Sequence, residues 1–254
     1  MKKHLSVFGL FARSSIYKII GVILLISAAQ AFFFRMELDK ALKAYEAVGS
    51  GMATLEKMLA RGAFGEWLAA GFIVITVFLC LTGHQANTGY TIQRLSVSEK
   101  LTFIYQGIYN TLIYVILAAS QIVLAYFLCK YYVTSAPQET VSDQTLFLAF
   151  YRNQLLHGLL PLEDTALWIR NVLLAICLGF TAAQFPYKFR RGKFEATVIA
   201  MAMYVIVYFR SEIGDIFRIA SVSVIALMIG AEIVFTVFMR EDEEEEEDGS
   251  ERVS

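Results

Sequence analysis

Residues 103–132 read FIYQGIYNTLIYVILAASQIVLAYFLCKYY, thirty residues whose only charge is Lys130. A soluble amphipathic helix carries charge along one face, and this run does not. Built as a helix at 1.5 Å per residue it is about 45 Å long. A bilayer's hydrocarbon is about 30 Å thick, so the helix spans it with length left to tilt or project. The run therefore predicts an all-α polytopic membrane protein.

Working outward, residues 90–100, YTIQRLSVSEK, are a polar connection back to a second apolar run at 66–83. Ser96 and Glu99 form a capping box, in which each side chain meets a free backbone donor at the helix start. Further spans are expected at about 16–34, 165–185, 195–209 and 217–239, six in all, the 195–209 block being the shortest. Trp67 suits an interfacial anchor at the start of the second span. The three prolines, Pro137, Pro161 and Pro186, are expected in the gaps, where helices end. Residues 1–15, MKKHLSVFGLFARSS, place Leu5, Phe8 and Phe11 at helical spacing among cations, as in an interfacial helix. Ala29-Gln30-Ala31 resembles a signal-peptide cleavage site, but the apolar run continues through Phe34. Between the third and fourth spans, residues 143–157 have an apolar face and precede Gly158 and Pro161. They predict one outer amphipathic helix, surface-lying or re-entrant, with a glycine stop. In residues 35–65, Leu38, Leu42 and Tyr45 suggest a helix that Gly49 and Gly51 break.

The formal net charge of −1 conceals an asymmetry. Residues 241–248 are eight consecutive acids and Glu251 is a ninth, so residues 1–240 keep 21 Lys+Arg against 14 Asp+Glu. The 241–254 tail has nothing apolar to bury and is expected to be disordered, either simply solvated or held by a basic partner or by the YKFRRGK segment at 187–193. With both termini cytoplasmic, the inner segments carry twelve cations and the outer ones eight, and four of the twelve lie in YKFRRGK. The positive-inside rule therefore puts both ends in the cytoplasm of a multi-pass protein of the cell membrane.

No phosphate loop, HExxH, GxSxG or paired-histidine pattern occurs, so the reading is of no enzyme and no cofactor. His4, His84 and His157 fall in three separate segments, which argues against a metal site. Cys80, Cys129 and Cys177 lie in or beside apolar runs without CxxC spacing and read as apolar filler, not disulfides. No nucleic-acid partner is expected.

The candidates for chemistry are polar residues within the spans. Gln106, Asn110, Tyr114 and Gln121 fall within about 80° of one helix face. A polar stripe is costly in lipid, so it faces the bundle interior, as a substrate pathway or as interhelical hydrogen bonding. Glu232 lies eight residues before Arg240, about 12 Å into the membrane. It reads as a proton or cation site, as a structural pair with a residue such as Gln30, or as a group facing a wet vestibule. Arg170, near the outer end of the fourth span, is placed to snorkel or to pair with an acid. Small residues recur at four-residue spacing at Ala175, Gly179 and Ala183, and at Ala226 and Gly230, letting a neighbouring helix approach closely.

The amphipathic start LSVFGLFARSSIYKI, the six-helix layout with both ends inside, and the inner loop NTGYTIQRLSVSEK together resemble permease subunits of bacterial ABC exporters of the type-two class. That resemblance implies a membrane subunit working with a separate ATPase, as a homodimer or with another permease. It assigns docking of the ATPase to Tyr90, Arg94, Leu95 and Glu99. The chain departs from the family in having a minimal turn between the fifth and sixth spans and its outer helix between the third and fourth. A non-transporting accessory, sensory or scaffold protein is the alternative.

Overall fold

The computed structural model describes residues 2–49, 51–88, 99–142, 144–161, 163–189, 196–210 and 215–234. These form helices α1 (Lys2–Val48), α2 (Leu55–Arg61), α3 (Phe64–Thr88), α4 (Glu99–Ser135), α5 (Thr145–Arg152), α6 (Gln154–Leu159), α7 (Thr165–Phe189), α8 (Ala196–Arg210) and α9 (Asp215–Val234). A 3-10 turn covers Gln138–Thr140, and there is no strand among the described residues. Four helices, α1, α3, α4 and α7, are long and apolar enough to cross a membrane.

The burial pattern is that of a protein solvated by lipid. Leu24, Leu25 and Phe32 on α1, Phe127 on α4, Ile169 on α7 and Leu227 on α9 are all at least 60% exposed. Such large apolar side chains are tolerated together on a surface only where the surroundings are also apolar. The polar residues of the stripe are instead buried.

α1 is one helix of 47 residues. The expected division into an interfacial helix and a first span is absent, because nothing in the sequence ends the helix there. The Ser14 and Ser15 hydroxyls both donate to the Phe11 carbonyl, at 2.9 and 2.8 Å, and so are satisfied within the helix. The helix stops at Gly49, whose φ of +70° turns the chain while its N–H reaches the Tyr45 carbonyl at 2.8 Å. Gly51, at φ +81°, completes the break.

Three apolar clusters stack along the bundle. At one end, here the cap end, Phe34 and Leu38 of α1 pack with Leu55, Met58 and Leu59 of α2, Leu128 and Tyr132 of α4, and Phe150 and Leu156 of the short helices. The middle cluster joins Leu68, Ile75 and Leu79 of α3 to Leu117 of α4, Leu174 and Leu178 of α7, Met201 and Val205 of α8, and Val222 and Ile229 of α9. At the far end Phe103 packs on Ala183 and Tyr187.

The α4–α7 crossing is the tightest. A Cβ on Gly179 would meet the Thr111 backbone nitrogen at 2.7 Å, and one on Gly107 would meet the Phe180 ring at 2.7 Å. The Gly179 position of the expected small-residue stripe is therefore used. Gly230 is not used among the described residues, where a Cβ on it meets nothing within 4 Å.

Two other expectations are corrected. The single amphipathic helix over 143–157 is two helices, because the Asn153 side chain accepts the Leu155 and Leu156 N–H groups at 3.0 and 3.1 Å. Asn153 thereby caps a new helix instead of continuing the old one. That second helix runs through Gly158, which is not its stop. Pro186 lies inside α7 and not in a gap.

Candidate intramembrane cavity

A cavity of about 560 Å³ opens between the cap end and the middle of the bundle. Its walls are α2, the start of α3, the middle of α4, α6 and the first half of α7. From Tyr114 to Ile122 the α4 wall runs eight residues, about 12 Å along the helix. Most of the lining is apolar, including Val115, Ala118, Ala119 and Ile122. Polar groups gather toward the cap end, where Arg170, Asn171, Asn153 and Glu66 face the space.

Arg170 is the principal group. It is 2% exposed, so it does not snorkel to the surface. Its Nη2 donates to the Gly158 carbonyl at 2.9 Å and to Asn171 Oδ1 at 3.1 Å, and its Nε donates to the same Oδ1 at 3.3 Å. Asn171 in turn donates through Nδ2 to the Gly158 carbonyl at 2.8 Å. The arginine, the asparagine and the carbonyl form a closed triangle joining α6 to α7. Asp164 helps set this end of α7, its Oδ1 accepting the Ala166 N–H at 2.9 Å. A guanidinium restrained at several donors is presented in one orientation, which a flexible lysine would not be.

The predicted polar stripe divides. Gln106, Asn110, Tyr114 and Gln121 are all buried, yet only Tyr114 reaches the cavity. Asn110 donates to the Gly179 carbonyl at 3.1 Å, across the α4–α7 crossing. The Tyr114 hydroxyl pairs with Thr76 at 2.6 Å, and Thr76 also donates to the Phe72 carbonyl at 2.7 Å. Gln106 and Pro186 both lie against Gly83, where α3, α4 and α7 meet. Gln121 has no hydrogen-bond partner among the described residues. Gln30, considered above as a partner for Glu232, donates to the Phe64 carbonyl at 3.2 Å.

Glu232 lies on α9, with its side chain outside the description. Tyr90, Arg94 and Leu95 lie outside the described residues, and Glu99 is described only as the first residue of α4. Asn171 and Asn153 were not singled out from the sequence. The Arg170-Asn171 pair inside an otherwise apolar run was the available signal for the first. For the second there was none, because Asn153 acts through a break in a helix that its neighbours continue.

Fold and cavity together define an α-helical, multi-pass type of membrane protein with an intramembrane chamber. Compared with family models, curated proteins and solved structures, the chain matches none of them.

Proposed function

We propose that this chain is the membrane-spanning, permease-like subunit of an ABC-type transporter that works with a separate ATPase. Six helices cross a bacterial cell membrane with both termini cytoplasmic. The observation that carries the reading is the cavity, a ligand-sized chamber with a fixed cation at one end and an apolar wall reaching the bundle centre. The course of α3 and α4 supports it. α3 leaves the cap end and α4 returns to it, so the end of α3 and the start of α4 lie away from the polar part of the chamber. An ATPase docked on the connection between them, through Tyr90, Arg94, Leu95 and Glu99, drives the bundle without obstructing the chamber.

A second reading has its own support. Asn110 and Tyr114 engage Gly179 and Thr76, which locks α3, α4 and α7 together. A locked bundle suits an accessory or scaffold protein.

Mild-detergent purification of the tagged chain from its own membranes separates the two. The transporter reading expects a stoichiometric protein carrying a phosphate-binding loop, lost in Arg94→Glu while the chain still inserts. Purification without any ATPase sinks it and leaves the accessory reading.

A further inference from the structure

We infer that the cavity binds an acyl-chain amphiphile with an anionic head. Arg170 holds the carboxylate or phosphate oxygens of the head, and the chain lies along the α4 wall. This rests on the reading of the cavity as a ligand chamber and adds the chemical class of the ligand.

Three features converge on that class. First, Arg170 is buried and lines the cavity, and its guanidinium is held in place by Gly158 and Asn171. An arginine inside a membrane bundle is costly and marks a functional position by default. Its positive charge, fixed at the chamber wall, attracts the carboxylate or phosphate of an anionic head. Second, the wall beyond it is built from Ala118, Ala119 and Ile122. The two alanines leave room along this apolar wall that an extended hydrocarbon fills. Third, the chamber has a side entrance. Val115 on α4 and Trp168 and Val172 on α7 line the cavity, yet are about half exposed on the lipid-facing surface, at 50%, 45% and 55%. A ligand dissolved in the bilayer enters between α4 and α7 without crossing water. A volume of about 560 Å³ is in the range of small-ligand pockets.

Glu66 also lines the chamber, from the first turn of α3. Its carboxylate opposes an incoming anion, so it sets the charge balance of the site. Glu66→Gln therefore tightens binding of an anionic amphiphile.

The test uses the full chain in phosphatidylcholine nanodiscs. The chain has two tryptophans, and Trp67→Phe leaves Trp168, at the entrance, as the sole reporter. Oleate and oleoyl lysophosphatidate are titrated beside oleyl alcohol, oleylamine and inorganic phosphate. Both anionic amphiphiles are expected to give a saturable change, and the tighter of the two tells a free fatty acid from a phospholipid headgroup as the source. Arg170→Gln weakens them about tenfold or more. Ala118→Leu keeps the arginine, fills the room along the wall and weakens them as well, so the result does not depend on one variant folding. Oleyl alcohol or oleylamine binding as tightly as oleate overturns the assignment of the head. Inorganic phosphate competing as well as oleate overturns the assignment of the chain. Wild-type affinity in both variants overturns the site. The assay contains no ATPase, so its failure is distinct from failure of the transporter reading.

Discussion

Cys80 on α3 points its Sγ at the Ala182 carbonyl of α7, 3.8 Å away. Ala182 is four residues before Pro186, which lies inside the helix and has no N–H to give. An interior proline removes the i→i−4 bond, and a buried carbonyl left alone is costly. The thiol of the neighbouring helix fills that place, weakly, as sulfur does.

A substitution series at this position tests the account. Cys80→Ser keeps a donor and is expected to keep stability, whereas Cys80→Val loses it and costs about 1 kcal/mol. Pro186→Ala restores the helix's own N–H, so the cost of Cys80→Val should vanish in that background. Detergent unfolding curves of the wild type, the three single variants and the Cys80→Val/Pro186→Ala double variant decide. If Cys80→Val costs the same with and without Pro186, the two are not coupled.

Gly179 and Gly230 look alike in sequence, each in a small-residue pattern on an apolar helix. Among the described residues the structure separates them, because Gly179 has a neighbouring backbone where a methyl group would sit and Gly230 has nothing within 4 Å. Gly179→Ala is expected to destabilise by about 1–3 kcal/mol through overpacking. Gly230→Ala is expected to be neutral, or to stabilise by up to about 1 kcal/mol through the better helix propensity of alanine. Thermal melts of both variants in one detergent check the pair, and equal shifts would show that the α4–α7 crossing is not the close one.

The contrast shows what was legible in the chain. Long uncharged runs reveal spanning helices directly, since hydrocarbon thickness sets their length, and α1, α3, α4 and α7 follow that rule. The inward polar stripe was also legible, because period and cost together fix its direction. Other features depend on a partner distant in sequence. Pro186 reads as a helix end unless one knows that Cys80 lies beside it. Arg170 reads as a snorkelling cation unless the Gly158 carbonyl is known to face it. The cavity was not legible, since five separate segments contribute to it.

Ala63 connects α2 to α3 at φ +53°, a left-handed conformation that costs a residue with a Cβ about 1–2 kcal/mol. The turn is held there because Ala63 donates to the Ala60 carbonyl at 3.1 Å while its own carbonyl accepts the Trp67 N–H at 3.0 Å. Ala63→Gly relieves the strain at the expense of some unfolded-state entropy. The expected net effect is a gain of about 0.5–1 kcal/mol, read as a higher melting temperature. A lower melting temperature would mean that the methyl group contributes more through packing than the backbone loses.

The last prediction concerns α8 and α9. At 1.5 Å per residue, α8 is about 22 Å long and α9 about 30 Å. α8 alone is short for a crossing, so crossing would require the bilayer to thin or flanking side chains to reach out. Lys193 and Arg210 flank it and have the length to do so. Met201 and Val205 of α8 share the middle cluster with Val222 and Ile229 of α9 and with Ile75 of α3. Two helices that cross the bilayer would bury side chains at the level of mid-span α3 in this way, so the expected outcome is that both cross. If both cross, the number of spans is even and the termini share a side, which the Lys/Arg bias makes the cytoplasm. A reporter fused after Ser254 should then read cytoplasmic, as should one at Met1, while one inserted near Pro137 reads external. Opposite readings at the two termini would show that only one of the pair crosses.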